Sequence, residues 1–483
     1  MEHIVTLLVN GRKEQEVTVG LGAETSWEEQ LSVSLKELLA RGVQVMLEAE
    51  DAALQAEASP GWRNLGRESR VVATVVGEVT VRRRVYRDED GQRRKPLDEE
   101  LGLEPYQRMS WGVQGMAAYL ATHVTYRDAS AVLSRVLDTS ISRTRVQRAV
   151  WRVGTELAEA EEEQRERVFG QGEALTAGTI PAEWLYAEVD GILLALQREA
   201  RRRAEARVGL FYTGKESLGK GRHRLKDRVC VLRLKPEAQD WQEDLLLKAY
   251  QTFDFKGVRR LVLGGDGAGW VRSSLDRFEM SVIYQLDRYH LFRAARDVGG
   301  APSRRAVELT QQACQVGWEG VQGEIASLLR QASPSAREKL QRWAGYLREH
   351  ADGLIDYRIR LGLDELSFPS LGAIEGNVDK RVAHRMKGQG KSWRLTGARA
   401  MLALLQHQEA LAHTVYRSGR ARKQPLTARE HSQPRRTPPR DTSAWLAATL
   451  PVLHSCAEGR PWVQYLKRVI QGEPPLPVAY ALP

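Results

Sequence analysis

The chain has 483 residues and carries 72 Lys and Arg against 62 Asp and Glu, a formal net charge of +10. That length supports two to four domains, each able to bury its own core. No segment approaches the roughly 18 uninterrupted apolar residues of a membrane span, and the opening MEHIVTLLVNGRKEQE lacks a basic region followed by an apolar one, so a cytoplasmic protein is expected. The three cysteines, Cys230, Cys314 and Cys456, show no CxxC or Cys/His zinc spacing, which argues against a disulfide scaffold or a structural zinc site, and a pI near 9.5 points to nucleic acid as partner.

Residues 1–65 form an N-terminal helical region. The run WEEQLSVSLKELLARGVQVMLEAEDAAL at 27–54 repeats apolar residues at three and four, the pattern of a packing or dimerisation helix. Residues 66–108 alternate β-branched and polar residues on both sides of Gly77, which predicts a hairpin with a basic outer face at Arg82, Arg83 and Arg84. Those arginines suit either phosphate contacts or a solvated strand face.

Residues 109–175 hold a helix-turn-helix pattern. Thr125 can cap a helix YRDASAVLSRVL with Ala129, Val132, Leu133 and Val136 on one face, and Ser142 can cap a second helix RTRVQRAVWRVG with Val146, Ala149, Val150 and Val153 facing in. That leaves Arg143, Arg145, Gln147, Arg148 and Arg152 outward as candidate DNA contacts, the residue types that reach base edges and phosphates. An ordinary helical hairpin has the same pattern. A polar helix TELAEAEEEQRERVF follows, and the Gly- and Ala-rich stretch after it predicts a boundary near residue 175.

From residue 176 the texture is α/β. WLYAEVD, GILLALQ and ARVGLFYTG read as three short strands, with DRVCVLRL at an edge, then strand RRLVLGGDG, strand SVIYQLD and helix RYHLFRAARDV. The first part of this core covers 176–300, a helical insertion covers 301–365, and 366–416 returns to the core. Residues 417–440 hold eight Lys or Arg against Glu430 alone, with four prolines, a composition that suits a basic linker lying along a phosphate backbone; residues 441–483 are again helical in pattern.

Three acids stand out. Asp190 closes the strand WLYAEVD beside Gly191, Asp266 ends RRLVLGG between glycines, and Glu375 begins a helix in LGAIEGNVDKRVAHRMKGQGKSW. Acids at the ends of neighbouring strands face one crevice, where repulsion is unfavourable without a cation. Two hard divalent cations about 3.5 to 4 Å apart can clamp both oxygens of a phosphoryl displacement. Taken singly, an Asp before Gly also serves ordinary turn chemistry. Glu188 competes with Asp190 and Asp379 with Glu375, while Asp287 suits either a ligand or a cap for the helix bearing His290.

The ordered phrases GEVTVRRRVY, PLDEELGLEPYQRMS, TYRDAS, EVDG, GGDGAGW, LDRYH and IEGNVDKRVAHRMKGQGKSWRLTGARAM resemble those of the ISLre-type family of bacterial insertion-sequence DDE transposases, distantly Mutator-like. The resemblance implies an RNase H-like mixed sheet interrupted by a helical insertion, and a metal-binding catalytic triad carried by Asp190, Asp266 and Glu375. It also implies Mg2+ or Mn2+ as cofactor, two ions in number, with Asp287 and His290 supporting the site and Gly376, Arg385 and Trp393 around the glutamate. The family's serine before the glutamate is replaced, since Ala373 and Ile374 stand there. The expected protein is a DNA transposase that cleaves and joins strands at element ends, binds double-stranded DNA through the helix-turn-helix and the basic stripe 198–228, and works as a homo-oligomer on the nucleoid, without membrane contact. The alternatives are a metal-dependent nuclease without strand transfer and a domesticated or inactive DNA-binding relative.

Overall fold

The computed structural model describes residues 2–9, 12–20, 27–57, 61–219, 222–365 and 367–413. The basic tail 417–440 and the C-terminal helical region 441–483 lie outside them. Among the described residues no helix is long and apolar enough to cross a membrane, and Cys230 and Cys314 are buried free thiols.

The region 1–65, expected to be helical, is so among its described residues only in α1 (Trp27–Glu57), the long helix its periodicity indicates; before it β1 (Glu2–Val9) and β2 (Arg12–Gly20) form an antiparallel hairpin, in keeping with their β-branched residues on either side of Asn10 and Gly11. The second hairpin, β3 (Arg63–Thr74) and β4 (Gly77–Arg87), turns where predicted, at Gly77 with φ +108°. Its basic outer face is not what forms. Alternation puts Arg83 with Val79, Val81 and Val85 on the buried side, where its Nε pairs with Asp98 Oδ1 at 2.9 Å, and Arg84 is covered by α1 and pairs with Asp51. Only Arg82 of the three is exposed.

Next come α2 (Trp111–His123), α3 (Tyr126–Leu137) and α4 (Arg143–Arg165). Thr125 and Ser142 cap α3 and α4 as the sequence indicates, each hydroxyl accepting the amide three residues on, and Asp138 ends α3 in the left-handed region. The buried stripe of α3 is Ala129, Leu133 and Leu137, at a spacing of four; Val132 and Val136 are 44% and 52% exposed. The short helix and the acidic helix expected after it are one 23-residue element. Gly154 is a contact rather than a break: a Cβ there would lie 2.3 Å from the Ala400 carbonyl oxygen.

A five-stranded mixed sheet forms the centre. Its members are β5 (Trp184–Ala195), β6 (Arg203–Tyr212), β7 (Val229–Leu234), β8 (Arg260–Gly265) and β9 (Val282–Leu286), in spatial order β7-β6-β5-β8-β9. The β7–β6 and β6–β5 pairs are antiparallel, and the β5–β8 and β8–β9 pairs are parallel. WLYAEVD and GILLALQ are a single strand. Gly191 does not interrupt it, because the long partner β6 continues the ladder from Tyr186–Tyr212 to Ala195–Arg203. One face of the sheet packs on α4 and on α11 (Leu395–Gln406); the other holds Trp241 and Leu245 of α5 (Ala238–Thr252).

After β9 the chain forms α6 (Arg288–Asp297) and the expected helical block, α7 (Pro302–Val316), α8 (Gln322–Gln331) and α9 (Pro334–Glu349). The block has its own core around Leu309, Trp343 and Leu347, with the Trp343 indole donating to Thr310 Oγ1 at 3.1 Å. The chain then returns as a broken helix over 374–386, beginning with α10 (Ile374–Asn377), and closes with α11 against α4.

The α4–α11 contact fixes the helix-turn-helix on the sheet domain. Replacing Gly154 by Leu forces a side chain into the Ala400 backbone, an overpacking that costs about 1–3 kcal/mol or more; the urea midpoint should fall markedly, whereas Gly154→Ala should fall less.

Candidate functional site

Three adjacent parallel strands deliver acids at one level. Glu188 of β5 is registered with Gly264 of β8, so Asp190, two residues on, stands level with Asp266; Gly265 is registered with Leu286, so Asp266 stands level with Asp287. This is the carboxyl end of β8 and β9, where open parallel sheets place their ligand crevices. Asp190, expected at a strand end, stands inside β5, opposite Val208. The acid reaches the crevice because its parallel neighbour stops while its antiparallel neighbour runs on.

The residues drawn closest are Asp190, His290 and Glu375, each with one ligand atom inside a group no more than 4.8 Å across. Asp190 is 7% exposed, and its Oδ1 accepts only its neighbour's amide, Gly191 N at 2.7 Å. Burial pushes its carboxyl up to about 7; the Gly191 amide and His290 pull against this, and the Glu375 and Asp266 charges add to it. Burial also raises Glu375, whose Oε1 is buried without a hydrogen bond and faces His290 Nδ1 at 3.4 Å. Asp287 caps α6: its Oδ2 accepts the His290 amide at 3.0 Å and meets His290 Nδ1 at 3.1 Å. That hydrogen bond, with the charges of Asp190, Asp287 and Glu375, raises the imidazole above its ordinary range. Of the two roles weighed for Asp287, cap and ligand, the structure shows the cap, and Asp287 stands outside the tight group while holding His290 within it.

Asp266 stands outside the tight group but within its field, half-buried, with Oδ1 accepting from Ala268 N at 3.0 Å. The helical block reaches this loop. Tyr346 of α9 donates to the Asp266 carbonyl at 2.7 Å, and the His350 ring lies where a Cβ on Gly267 would be, 2.6 Å away, at φ +94°. Glycine is required at 267 on both counts. Asp379, the rival of Glu375, is exposed and stands outside the group.

Glu188 is the residue whose role could not be read from the sequence. It is 1% exposed, and its carboxylate is saturated: Tyr212 Oη donates at 2.6 Å, and the backbone amides of Gly372, Ala373 and Ile374 donate at 2.9, 3.1 and 3.1 Å. These amides open the helix that carries Glu375, so a carboxylate 187 residues away in sequence replaces the local side-chain cap that Ala373 cannot supply. A Cβ at Gly264 would press on Glu188 Cγ and on Leu371, so this glycine leaves room for the clamp, while Gly265 leaves room for Val271.

The arginines of α4 divide. Arg143 and Arg148 are exposed, Arg145 is half-buried with a bond to the Ser140 carbonyl at 3.1 Å, and Gln147 lines a separate cleft beside Tyr126. Arg152, expected outward, is engaged internally: it bonds Gln107 Oε1 at 2.9 Å, pairs with Glu104 at 2.8 Å and covers the Trp111 ring, which ties the phrase PLDEELGLEPYQRMS to α4. In the basic stripe 198–228, Arg198, Arg201, Arg202, Arg222 and Arg224 are exposed, whereas Arg207 lies over Trp270 and Lys215 donates to the Ser370 carbonyl.

The chain is matched over residues 22–424 by the model of the uncharacterised protein family UPF0236, and it belongs to that family. It is similar to the UPF0236 protein in the vanSb 3'region of Streptococcus gallolyticus, 26% identical over 367 residues, covering 74% of this chain and 76% of that protein.

Glu188→Ala should orphan three helix-opening amides and a buried hydroxyl, at about 1–3 kcal/mol for each unmatched group; urea unfolding should show a loss of several kcal/mol, with Glu188→Gln milder. The acid cluster sets a pH dependence. Between the ordinary carboxyl range and about pH 7 the folded metal-free protein keeps protons that the unfolded chain has released, at Asp190, at Glu375 and, higher up, at His290, so stability falls as pH rises. In chelator, the urea midpoint should be lower at pH 8 than at pH 5, and Asp190→Asn should flatten the difference.

Proposed function

We propose that the protein is a DDE-type transposase of the ISLre-type insertion-sequence family, acting on DNA by divalent-metal phosphoryl transfer on an RNase H-like core. The observation that carries this reading is the meeting of Asp190 with Glu375 of the returning helix in one tight group, with Asp266 level with Asp190 on the adjacent parallel strand and within its field. The sheet order supports the RNase H-like core that the resemblance implies: numbering its strands along the chain, the third, second, first, fourth and fifth lie side by side, and the helical block falls between the fifth strand and the glutamate.

The donor set fits a hard divalent cation. Asp190 is an anion disfavoured by burial, and Glu375 in the same group holds a buried oxygen without a hydrogen bond, so a hard cation placed among them would stabilise both carboxylates. Asp190 and Glu375, with Asp266 on the adjacent strand, would hold Mg2+ or Mn2+. Such ions, when bound, would activate the attacking water or 3'-hydroxyl and stabilise the leaving oxygen. Glu188 and Asp287 fix the ligands, one through the helix bearing Glu375 and the other through His290. His290 turns Nδ1 to both Asp287 and Glu375, and these acids favour its protonated form, which would set a positive charge beside the phosphate position. On α4, Arg143, Arg145 and Arg148 offer the outward groups for duplex DNA, and copies of this chain acting together on paired ends are part of the same reading.

Purified protein with Mn2+ and a plasmid carrying the DNA that flanks its gene should break and rejoin strands at the flanking repeats. Asp190→Asn, Asp266→Asn and Glu375→Gln should each lower cleavage about a thousandfold, several kcal/mol of transition-state stabilisation, with DNA affinity kept. Cleavage without joining would sink the transposase reading in favour of a nuclease, and full activity in any one variant would remove that residue from the triad. Arg145→Ala with Arg148→Ala should weaken end-specific binding by about tenfold and random DNA less; equal loss on both would reduce the helix to a phosphate contact.

A further inference from the structure

A second cleft, of about 600 Å³, is lined by none of the acid-cluster residues. Its walls come from the start of α3 (Tyr126), from α4 (Gln147 and Trp151), and from the loop between the glutamate helix and α11 (Lys391, Trp393 and Arg394). Arg385 completes the lining and is the anomaly that gives the cleft meaning. It is 6% exposed, its guanidinium sits 5.4 Å from the Tyr126 ring and 5.2 Å from the Trp393 ring, and its Nε donates to the Ala121 carbonyl. Among the described residues no carboxylate pairs with it. A buried cation is strongly unfavourable unless matched, and contacts with ring faces offset only part of that. Arg198 and Arg394, both exposed, and Lys391, which donates to the His384 carbonyl at 3.1 Å, add three more cations, and the buried Tyr126 hydroxyl stands beside the Arg385 guanidinium. Glu199, next to Arg198, is occupied by the Leu395 amide at 3.0 Å.

The cleft is also held to the strand that bears Asp190. Gly388, Gln389 and Gly390 are all left-handed, bending the loop back so that Trp393 bridges to Leu196, with Trp393 N donating to Ala195 O at 3.0 Å and Gln197 N to Trp393 O at 2.9 Å. A buried guanidinium without a carboxylate, with further cations and indole faces beside it, suits a phosphate joined to a planar ring. The volume is that of a small-ligand site and far below that of a duplex.

We infer that this cleft receives one unpaired nucleotide of a DNA strand, its phosphate against Arg385, Lys391 and Arg394 and its base against Trp151 and Trp393, an assignment that rests on the DNA-directed reading above for its choice of polymer. The cleft then serves the strand end after separation, while α4 serves the duplex.

The test uses the full chain in chelator, with no cleavage step, and follows the anisotropy of a labelled oligothymidine of about ten nucleotides and of a labelled duplex. Stacking on an aromatic contributes about 1–3 kcal/mol per base, so Trp151→Ala, and separately Lys391→Ala with Arg394→Ala, should weaken oligonucleotide binding by about tenfold and leave duplex binding within about twofold. Trp151→Phe should restore most of the loss, and circular dichroism with urea midpoints verifies folding. Arg145→Ala with Arg148→Ala should do the reverse. Oligonucleotide binding unchanged in folded variants, or lost in step with the duplex, would overturn the assignment, as would competition by thymidine monophosphate at the same concentration as the strand. Duplex binding by a wild type that ignores the oligonucleotide would sink the cleft alone; binding of neither would sink the DNA-directed reading with it.

Discussion

Two buried carboxylates on one face of β5 have opposite fates, and the site depends on the difference. Glu188 is surrounded by four donors, three of them the opening amides of a helix that begins far along the chain. Asp190, one pleat further, is also enclosed but receives a single amide and faces Glu375, Asp266 and His290. A saturated carboxylate is a fastener, whereas an undersupplied one attracts a cation or a proton. Because both stand on the same strand, the clamp that fixes Glu375 and the acid that Glu375 must meet share one rigid reference.

The neighbouring elements extend that reference outward. Asp287 joins the end of β9 to α6 and so aims His290 at the cluster, and the helical block approaches from the other side through Tyr346 and His350. Gly154 brings α4 against α11, and the loop before α11 is hydrogen-bonded to the end of β5. A second set of ties draws the same elements together: Arg233 on the edge strand β7 pairs with Glu161 of α4 and Asp244 of α5, and Glu161 also meets His407 just past α11. Breaking one member of such a buried network leaves the others unmatched, which makes the relative placement of helix-turn-helix and sheet stiff.

Much of this architecture is legible in the chain. The caps at Thr125 and Ser142, the turn at Gly77, the long first helix, the edge strand 229–234 and the helical block follow from local propensity and periodicity, and they form as read. Asp190 and Asp266 stand out as acids beside glycines in apolar strands, Glu375 as an acid opening a helix and His290 as the histidine three residues after Asp287, although an Asp before Gly also serves turn chemistry. The departures share one cause, the neighbours that tertiary structure supplies. Glycine is a poor interior residue, so Gly191 and Gly154 read locally as breaks, yet a strand with a long partner absorbs the first and a helix packed at 2.3 Å of a would-be Cβ demands the second. Polarity points Arg83, Arg84 and Arg152 outward, yet Asp98, Asp51 and Glu104 meet them within the fold.

By itself, then, the sequence determined element types, the order of the acids and the basic character of the molecule, because those depend on residues within a turn or a strand of one another. Only the tertiary structure decided which acids lie together. Strand register puts Asp266 level with Asp190, and a separation of 184 to 186 residues closes between Glu188 and the amides that open the Glu375 helix. Whether a carboxylate is saturated or undersupplied, and whether an arginine is engaged in the fold or left exposed, is set by how many donors and acceptors surround it in space, a quantity that sequence spacing does not encode.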